Sequence, residues 1–208
     1  MLSHPPGFNP ADVQGNIVRG YRYKRVRHVM LEIANRRLAR RWLRATVSGV
    51  EGVPAITTEE HWDVKPESCF NIAFTAPGLR ILRVSEASLK TFPDEFLEGM
   101  EAQAVKLGDI GTSAPDHWPA PFDDPTRIHM IASIHADDIE HLDSVERQIP
   151  VSDGAKAFEI WVRAMAGISM ATMSISTITT IFRSRALLVS MTRTGSRTSS
   201  RLPRSVRS

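Results

Sequence analysis

The chain has 208 residues, 42 % of them apolar and 24 % charged, as expected of one globular domain with or without a tail. Its formal charge of +3 is unevenly placed: residues 1–159 carry 18 Lys and Arg against 23 Asp and Glu, whereas the last 49 residues carry 8 Arg and no acid. The tail supplies all the excess positive charge, so overall basicity does not argue for nucleic acid; the single cysteine, Cys69, excludes an intramolecular disulfide and fits a reducing, cytoplasmic setting. No basic leader followed by an apolar run opens the chain, and no apolar run of about 18 residues occurs, so neither a secretory signal nor a membrane span is expected.

Residues 1–25 read as an irregular lead-in rich in Pro and Gly. Residues 26–33 (VRHVMLEI) alternate, which predicts a strand with Val29, Leu31 and Ile33 on one face. A helix is expected over 34–48, with Leu38, Trp42, Leu43 and Ala45 inward and Arg37, Arg40, Arg41 and Arg44 outward. Residues 68–75 predict a second strand with Phe70, Ile72 and Phe74 inward, and Pro77 opens a short helix reaching Val84. Pro93 opens another, carrying Phe96, Met100 and Ala104 and closed by Gly108. Four Pro and two Gly mark 107–125 as a long loop. A third strand covers 127–135 with Ile128, Met130, Ala132 and Ile134 inward. Asp137 or Asp138 caps a helix through Gln148, with Ile139, Leu142, Val145 and Ile149 at helical spacing, and 156–162 reads as a fourth strand. The order β-α-β-α-α-β-α-β predicts an α+β, ferredoxin-like fold: an antiparallel sheet with helices on one face over 26–163. Residues 164–208 follow as a disordered tail, 17 of whose last 41 residues are Ser or Thr.

Few residues here announce chemistry. His28, His129 and His135 fall on predicted strands, but no third ligand completes a metal set, so hydrogen-bonded or solvated histidines are expected. His61-Trp62 and His117-Trp118 lie in turns, where packing is the expected role. Asp123-Asp124 before Pro125 signals a turn rather than an acid/base pair. Cys69 has no evident activating base and reads as a small core residue. Arg36, Arg37, Arg40, Arg41 and Arg44 form a dense basic face, expected to be solvated rather than phosphate-binding. Gly15 and Gly20 lack the spacing of a phosphate-cradling loop.

Several strings are more specific together than singly. DVQGNIVRGY (12–21), VRHVMLEI (26–33), SCFNIAFTAPGLRIL (68–82), TFPDEFLEGM (91–100), LGDIGTSAPDHWPAPF (107–122) and RIHMIASIHADD (127–138) resemble, in order and spacing, the N-terminal half of dye-decolourising (DyP-type) haem peroxidases. The resemblance covers roughly residues 10–160 and implies two ferredoxin-like halves, haem b with its iron, hydrogen peroxide, and dyes or small phenolic compounds as substrates. In haem peroxidases Trp can serve as a surface radical site, but for Trp62 and Trp118 packing or anchoring of a loop is the expected role. The family's distal Asp belongs to a G-x-x-D-G motif after the first half; the proximal His and distal Arg come from the second. No G-x-x-D-G occurs in this chain, and no His follows His141. No catalytic, cofactor-binding or metal-ligating residue is therefore assigned, and no haem is expected in this chain as written.

The acid-free tail reads as a shifted frame. Pairing the third base of each codon with the first two of the next turns Met170–Ala171 into Gly and Met191–Thr192 into Asp, and residues 181–186 permit Ser-Gln-Pro-Arg, a run similar to one the family carries near G-x-x-D-G. Asp codons read out of step come out as Ser, Thr, Ile and Met. The expectation is a frameshift near Gly167 in a truncated peroxidase, with a genuine Ser/Thr/Arg-rich tail as the simpler rival. A rival of another class is a non-catalytic ferredoxin-like module that binds a partner or forms a homo-oligomer through its sheet. No nucleic-acid or membrane partner is expected.

Overall fold

The computed structural model describes residues 7–18, 20–151 and 156–167. The stretch read above as a disordered, out-of-frame tail lies outside them from residue 168 on. Among the described residues, β1 (Arg25–Ile33), β2 (Ser68–Phe74), β3 (Met130–Ala136) and β4 (Phe158–Gly167) form one antiparallel sheet in the order β2-β3-β1-β4. Thus β3 is inserted between β1 and β2, the split βαβ arrangement expected of a ferredoxin-like fold. The helices are α1 (Gly15–Val18), α2 (Arg36–Ser48), α3 (Ala76–Ile81), α4 (Glu86–Leu89), α5 (Asp94–Glu98), α6 (Ala104–Leu107) and α7 (Ile139–Glu146). None is long and apolar enough to cross a membrane.

The main core lies between one sheet face and the helices. Val29, Leu31 and Ile33 of β1, Phe70, Ile72 and Phe74 of β2, and Met130, Ala132 and Ile134 of β3 pack with Trp42 and Leu43 of α2, Leu79 of α3 and Leu142 of α7. Trp42 sits edge-on between Phe70 and Phe158, with ring centroids 6.1 and 5.2 Å away. Burying one such large apolar side chain stabilises by roughly 1.5–3 kcal/mol. Strand alternation alone predicts this face, because side chains two apart share it.

Several expectations needed correction. The buried side of α2 includes Ala39 and Thr46, while Leu38 and Ala45 are only half-buried; Thr46 is admitted because its hydroxyl donates to Trp42 O at 3.0 Å. The helix opened by Pro93 is broken into α5, a 3-10 turn at Glu101–Gln103, and α6, since Gly99 takes a φ of 84°. α3 ends at Ile81 rather than near Val84, and α4 was not predicted. Ile128 precedes β3 and joins the apolar cluster of the opposite face. Ile139 is 48 % exposed, and α7 stops at Glu146. The cap of α7 is, as expected, one of the two Asp: Asp138 accepts from His141 N at 2.8 Å, while Asp137 accepts from Lys24 N and Lys65 Nζ. β4 runs to Gly167 and carries a bulge: Leu31 faces Ile160 and Met30 faces Val162, leaving Trp161 as the extra residue.

At the start of α3 the backbone of Gly78 touches β3's approach. A Cβ there would lie 1.9 Å from His129 O and 2.7 Å from His129 C, both backbone atoms that cannot swing away. Gly78→Ala is expected to cost about 3 kcal/mol through overpacking, read as a lowered urea midpoint at unchanged m-value. A midpoint within error of the parent chain refutes this.

Candidate functional site

The sheet face opposite the helices differs from the main core, and its chemistry lies in rows across the strands. Asn71 of β2 faces Ser133 of β3, which faces His28 of β1. His28 Nδ1 and Ser133 Oγ are 2.9 Å apart. Asn71 donates to Thr57 O at 3.1 Å, while its Oδ1 is buried with no hydrogen-bond partner. In the next row Cys69 faces His135. The Tyr21 ring meets His135 edge-on at 5.0 Å, and Tyr23 donates to Pro66 O at 2.5 Å and lies 3.3 Å from Cys69 Sγ. Burial and the Cys69 contact push the Tyr23 phenol far above its ordinary pKa, so it stays protonated. Toward the other end Met30, Ala73, Ile128 and Ile131 make a small apolar cluster with Phe122, Trp161 and Val162.

A Ser–His contact invites a nucleophile reading, which the surroundings oppose. Ser133 is 1 % exposed, and no carboxylate orients His28 among the described residues. The pair is a cross-strand hydrogen bond. Cys69, 1 % exposed, is the core residue its sequence context predicts.

At the bulge, Glu32 Oε2 accepts from Trp161 Nε1 at 2.7 Å and from Arg127 Nη2 and Nε at 2.8 and 3.0 Å. The Arg127 guanidinium lies over the Trp161 ring, 3.7 Å from its centroid. Neither Trp161 nor Glu32 was singled out in the sequence; the signal was present only as an unusual charged residue in an apolar strand. On the helix side, Arg27 donates to Asp143 and Glu146 at 2.7 Å each, and Arg163 also pairs with Glu146. Burial disfavours the Arg27 charge, but the two carboxylates outweigh it and leave its pKa raised. These groups, with Arg147, Ile149, Val151 and Met165, line an open groove of about 570 Å³.

The remaining sequence candidates do not converge. His129 Nδ1 accepts from Ile33 N at 2.9 Å. His141 bridges Asp138 and Glu67 on the surface. His61 lies 3.8 Å from Asp63, and Trp62 packs on Tyr21 with ring centroids 5.8 Å apart. Trp118 Nε1 donates to Ser113 O, and Asp124 accepts from Thr126, both within turns. Gly15 opens a four-residue helix, and a Cβ there would meet Tyr21 Oη at 2.6 Å and Thr58 O at 2.8 Å, so its smallness serves packing. No group of three His, Cys, Asp or Glu fit to hold a metal occurs among the described residues.

The sheet order and these strings agree with one family model, that of the DyP dimeric alpha+beta barrel domain, which matches residues 12–165. The chain belongs to the DyP family. Its fold is similar to that of a structure described as the crystal structure of DyP (TM-score 0.66, 18 % identity, 80 % of this chain and 35 % of that one). It is similarly close to a fungal DyP-type peroxidase from Auricularia auricula-judae (TM-score 0.66, 19 % identity, 81 % and 35 %). A dye-decolorizing peroxidase in complex with 2,6-dimethoxyphenol also aligns (TM-score 0.62, 22 % identity, 79 % and 35 %). A search of curated proteins finds no match. The chain thus spans about a third of the length of the structures it resembles.

The family is haem-dependent, but the described residues do not fit a haem. The groove at Arg27 is walled by Arg27, Arg147, Arg163, Asp143 and Glu146 and has no histidine in its lining. The histidines in and beside the sheet have other contacts: half-buried His28 lies against Ser133, buried His129 accepts from Ile33 N, and half-buried His135 meets the Tyr21 ring.

Those commitments set a pH dependence. Burial lowers the pKa of His28 and His129, and burial together with the nearby His28 lowers that of His135 to about 4. Each favours the neutral ring in the folded state, so its contribution is complete above the unfolded value of about 6.5 and is lost as pH falls through the folded one. Surface His141 is raised, chiefly by its Asp138 hydrogen bond, and works the other way: its contribution is complete below about 6.5 and fades as pH rises. Unfolding midpoints are therefore expected to fall between pH 6.5 and about 4, and His135→Gln should flatten that decline. An unchanged pH profile in the variant counts against the assignment.

Proposed function

We propose that the chain is the first ferredoxin-like half of a DyP-type peroxidase, an enzyme in which haem b, hydrogen peroxide and small aromatic reductants such as dyes and phenolics meet. The observation that carries this reading is the family match over residues 12–165 on a sheet of order β2-β3-β1-β4. Haem supplies peroxide activation and one-electron oxidation in such enzymes, while the protein supplies an axial ligand, distal hydrogen bonds and access control. The first half contributes a folded sheet and its packing surface.

The 208 residues hold no G-x-x-D-G and no His beyond His141, so this chain by itself is proposed to be catalytically silent. The out-of-frame reading of the region beyond Gly167, with residues 164–208 standing apart from the 26–163 domain, belongs to the same proposal. The buried lone Cys69 is compatible with a cytoplasmic site of action.

Two measurements test the proposal. The purified chain, mixed with haem and peroxide, is expected to show no stoichiometric Soret band and no dye oxidation; turnover would overturn it. The gene's nucleotide sequence across codons 160–208 is expected to encode Ser-Gln-Pro-Arg in the frame reached by skipping two bases. An early stop codon in that frame sinks the frameshift.

A further inference from the structure

The outer surface of the helix layer carries two opposite charge fields side by side. α2 has five Arg and no acid; at 3.6 residues per turn, Arg36, Arg37, Arg40, Arg41 and Arg44 occupy an arc of about 140°. Arg36, Arg37, Arg41 and Arg44 are exposed, and among the described residues none of them forms an ion pair. Arg40 turns aside to donate to Leu82 O at 2.8 Å, and its pKa is lowered by burial and by its neighbours Arg44 and Arg36. Like charges at i+3 and i+4 repel along a helix, so this face is stabilised by whatever brings negative charge opposite it.

The helix next to it extends the basic field and then ends it. Arg80 and Arg83 are exposed at the C-terminal end of α3. Arg83 takes the left-handed φ of 55°, the post-helical position where glycine is favoured. Val84 N donates to Leu79 O and Arg83 N to Arg80 O across this turn, so the backbone there is fully engaged. Arg80 reaches Leu97 O of α5 at 3.4 Å. Beyond that contact the sign reverses: residues 94–110 hold Asp94, Glu95, Glu98, Glu101 and Asp109 against Lys106 alone. Lys106 is already taken by Glu95 at 3.0 Å. The same strip exposes three large apolar side chains, Val105 at 82 %, Leu107 at 58 % and Ile110 at 63 %, and Ile81 of α3 is 42 % exposed between the two fields.

A basic field on α2 and an acidic strip over 94–110 that itself exposes apolar side chains meet across α3, an arrangement that is self-complementary under a two-fold rotation. Turned about an axis through α3, the Arg face of one copy meets the acidic strip of the other, and the reverse contact forms at the same time. Exposed Val, Leu and Ile rimmed by charge match the apolar centre and polar rim of specific interfaces. We propose that this chain dimerises through the outer helix layer, with α2 of each copy seated on the α5–α6 strip of the other. The pairing is independent of the peroxidase reading and of the sheet face opposite the helices.

The test is sedimentation velocity on the full 208-residue chain. A closed dimer is expected at about 20 mM salt, with the dissociation constant rising at least tenfold by about 500 mM, because exposed pairs are screened. Arg37→Glu with Arg41→Glu, and separately Glu98→Arg with Glu101→Arg, should each weaken self-association at least tenfold. Mixing the two variants should restore a heterodimer. Unfolding midpoints of both variants, expected near the parent value, guard against misfolding as the cause. A monomer at all concentrations overturns the proposal, as does a dimer indifferent to salt and to both reversals. An open-ended series of oligomers means head-to-tail contact and overturns the two-fold. Association lost with the acidic reversal but not with the α2 reversal means that Arg183–Arg207 of the tail occupies the acidic strip, which also overturns it. Binding of a polyanion by a chain that stays monomeric would reassign α2 to that partner.

Discussion

The imidazole of His129 joins parts of the chain that nothing local would bring together. Its Nδ1 accepts from Ile33 N at the end of β1, its own backbone N–H donates to Leu31 O, and its carbonyl accepts from Thr75 N at the end of β2. The Thr75 hydroxyl donates to Ile128 O at 2.5 Å and accepts from Gly78 N, so the N-cap of α3 is built on the same junction. β1, β2, α3 and the approach to β3 are therefore held at one point, and Gly78 must be glycine for α3 to approach it. A buried ring serving as an acceptor at Nδ1 is held neutral, and burial lowers its pKa from the ordinary value in keeping with that.

The two faces of the sheet are managed differently from that junction outward. The helix side is a continuous apolar core centred on Leu31, Ile72, Met130 and Phe158. The other side places Asn71, Ser133, His28 and His135 in rows, satisfied partly by strand neighbours and partly by the lead-in around Tyr21 and Tyr23. The exposed edge of β2 is closed by a side chain: Gln14 Nε2 donates to Ile72 O and its Oε1 accepts from Ile72 N, both at 2.8 Å. An amide that mimics one rung of a strand protects an edge without another strand. What sequence alone called an irregular lead-in is therefore part of the sheet's boundary.

Family membership and chemistry separate here. The DyP match accounts for the fold, the order of the strands and the strings that thread them. It does not bring a haem pocket to the described residues, whose charged groove at Arg27 is engaged in holding α7 to β1 and β4. Fold and cofactor site are separable, because packing is a property of each sheet and a cofactor site is built between elements.

By itself the sequence determined the inward residues of β1 and β2, the capping of α7 by an Asp, the core role of Cys69, and the abrupt loss of acids past Glu159. Each rests on a local rule: a period of two in strands, a side-chain oxygen over a free N–H, small apolar size, or base composition. Tertiary structure decided the rest. Glu32 is a charged interruption of β1 until Trp161 and Arg127, from distant parts of the chain, converge on one of its oxygens. Trp161 points there only because of a bulge that no single strand can announce. The helix expected from Pro93 to Gly108 keeps its apolar spacing but breaks at Gly99, where a φ of 84° turns the chain. The basic face of α2 is visible in the sequence, yet its adjacency to the acidic α5–α6 strip follows from Arg40 reaching the carbonyl of Leu82 just past α3 and Arg80 reaching that of Leu97 on α5. Periodicity is fixed along the chain, whereas partners are chosen across it, by which donors and acceptors packing leaves within reach.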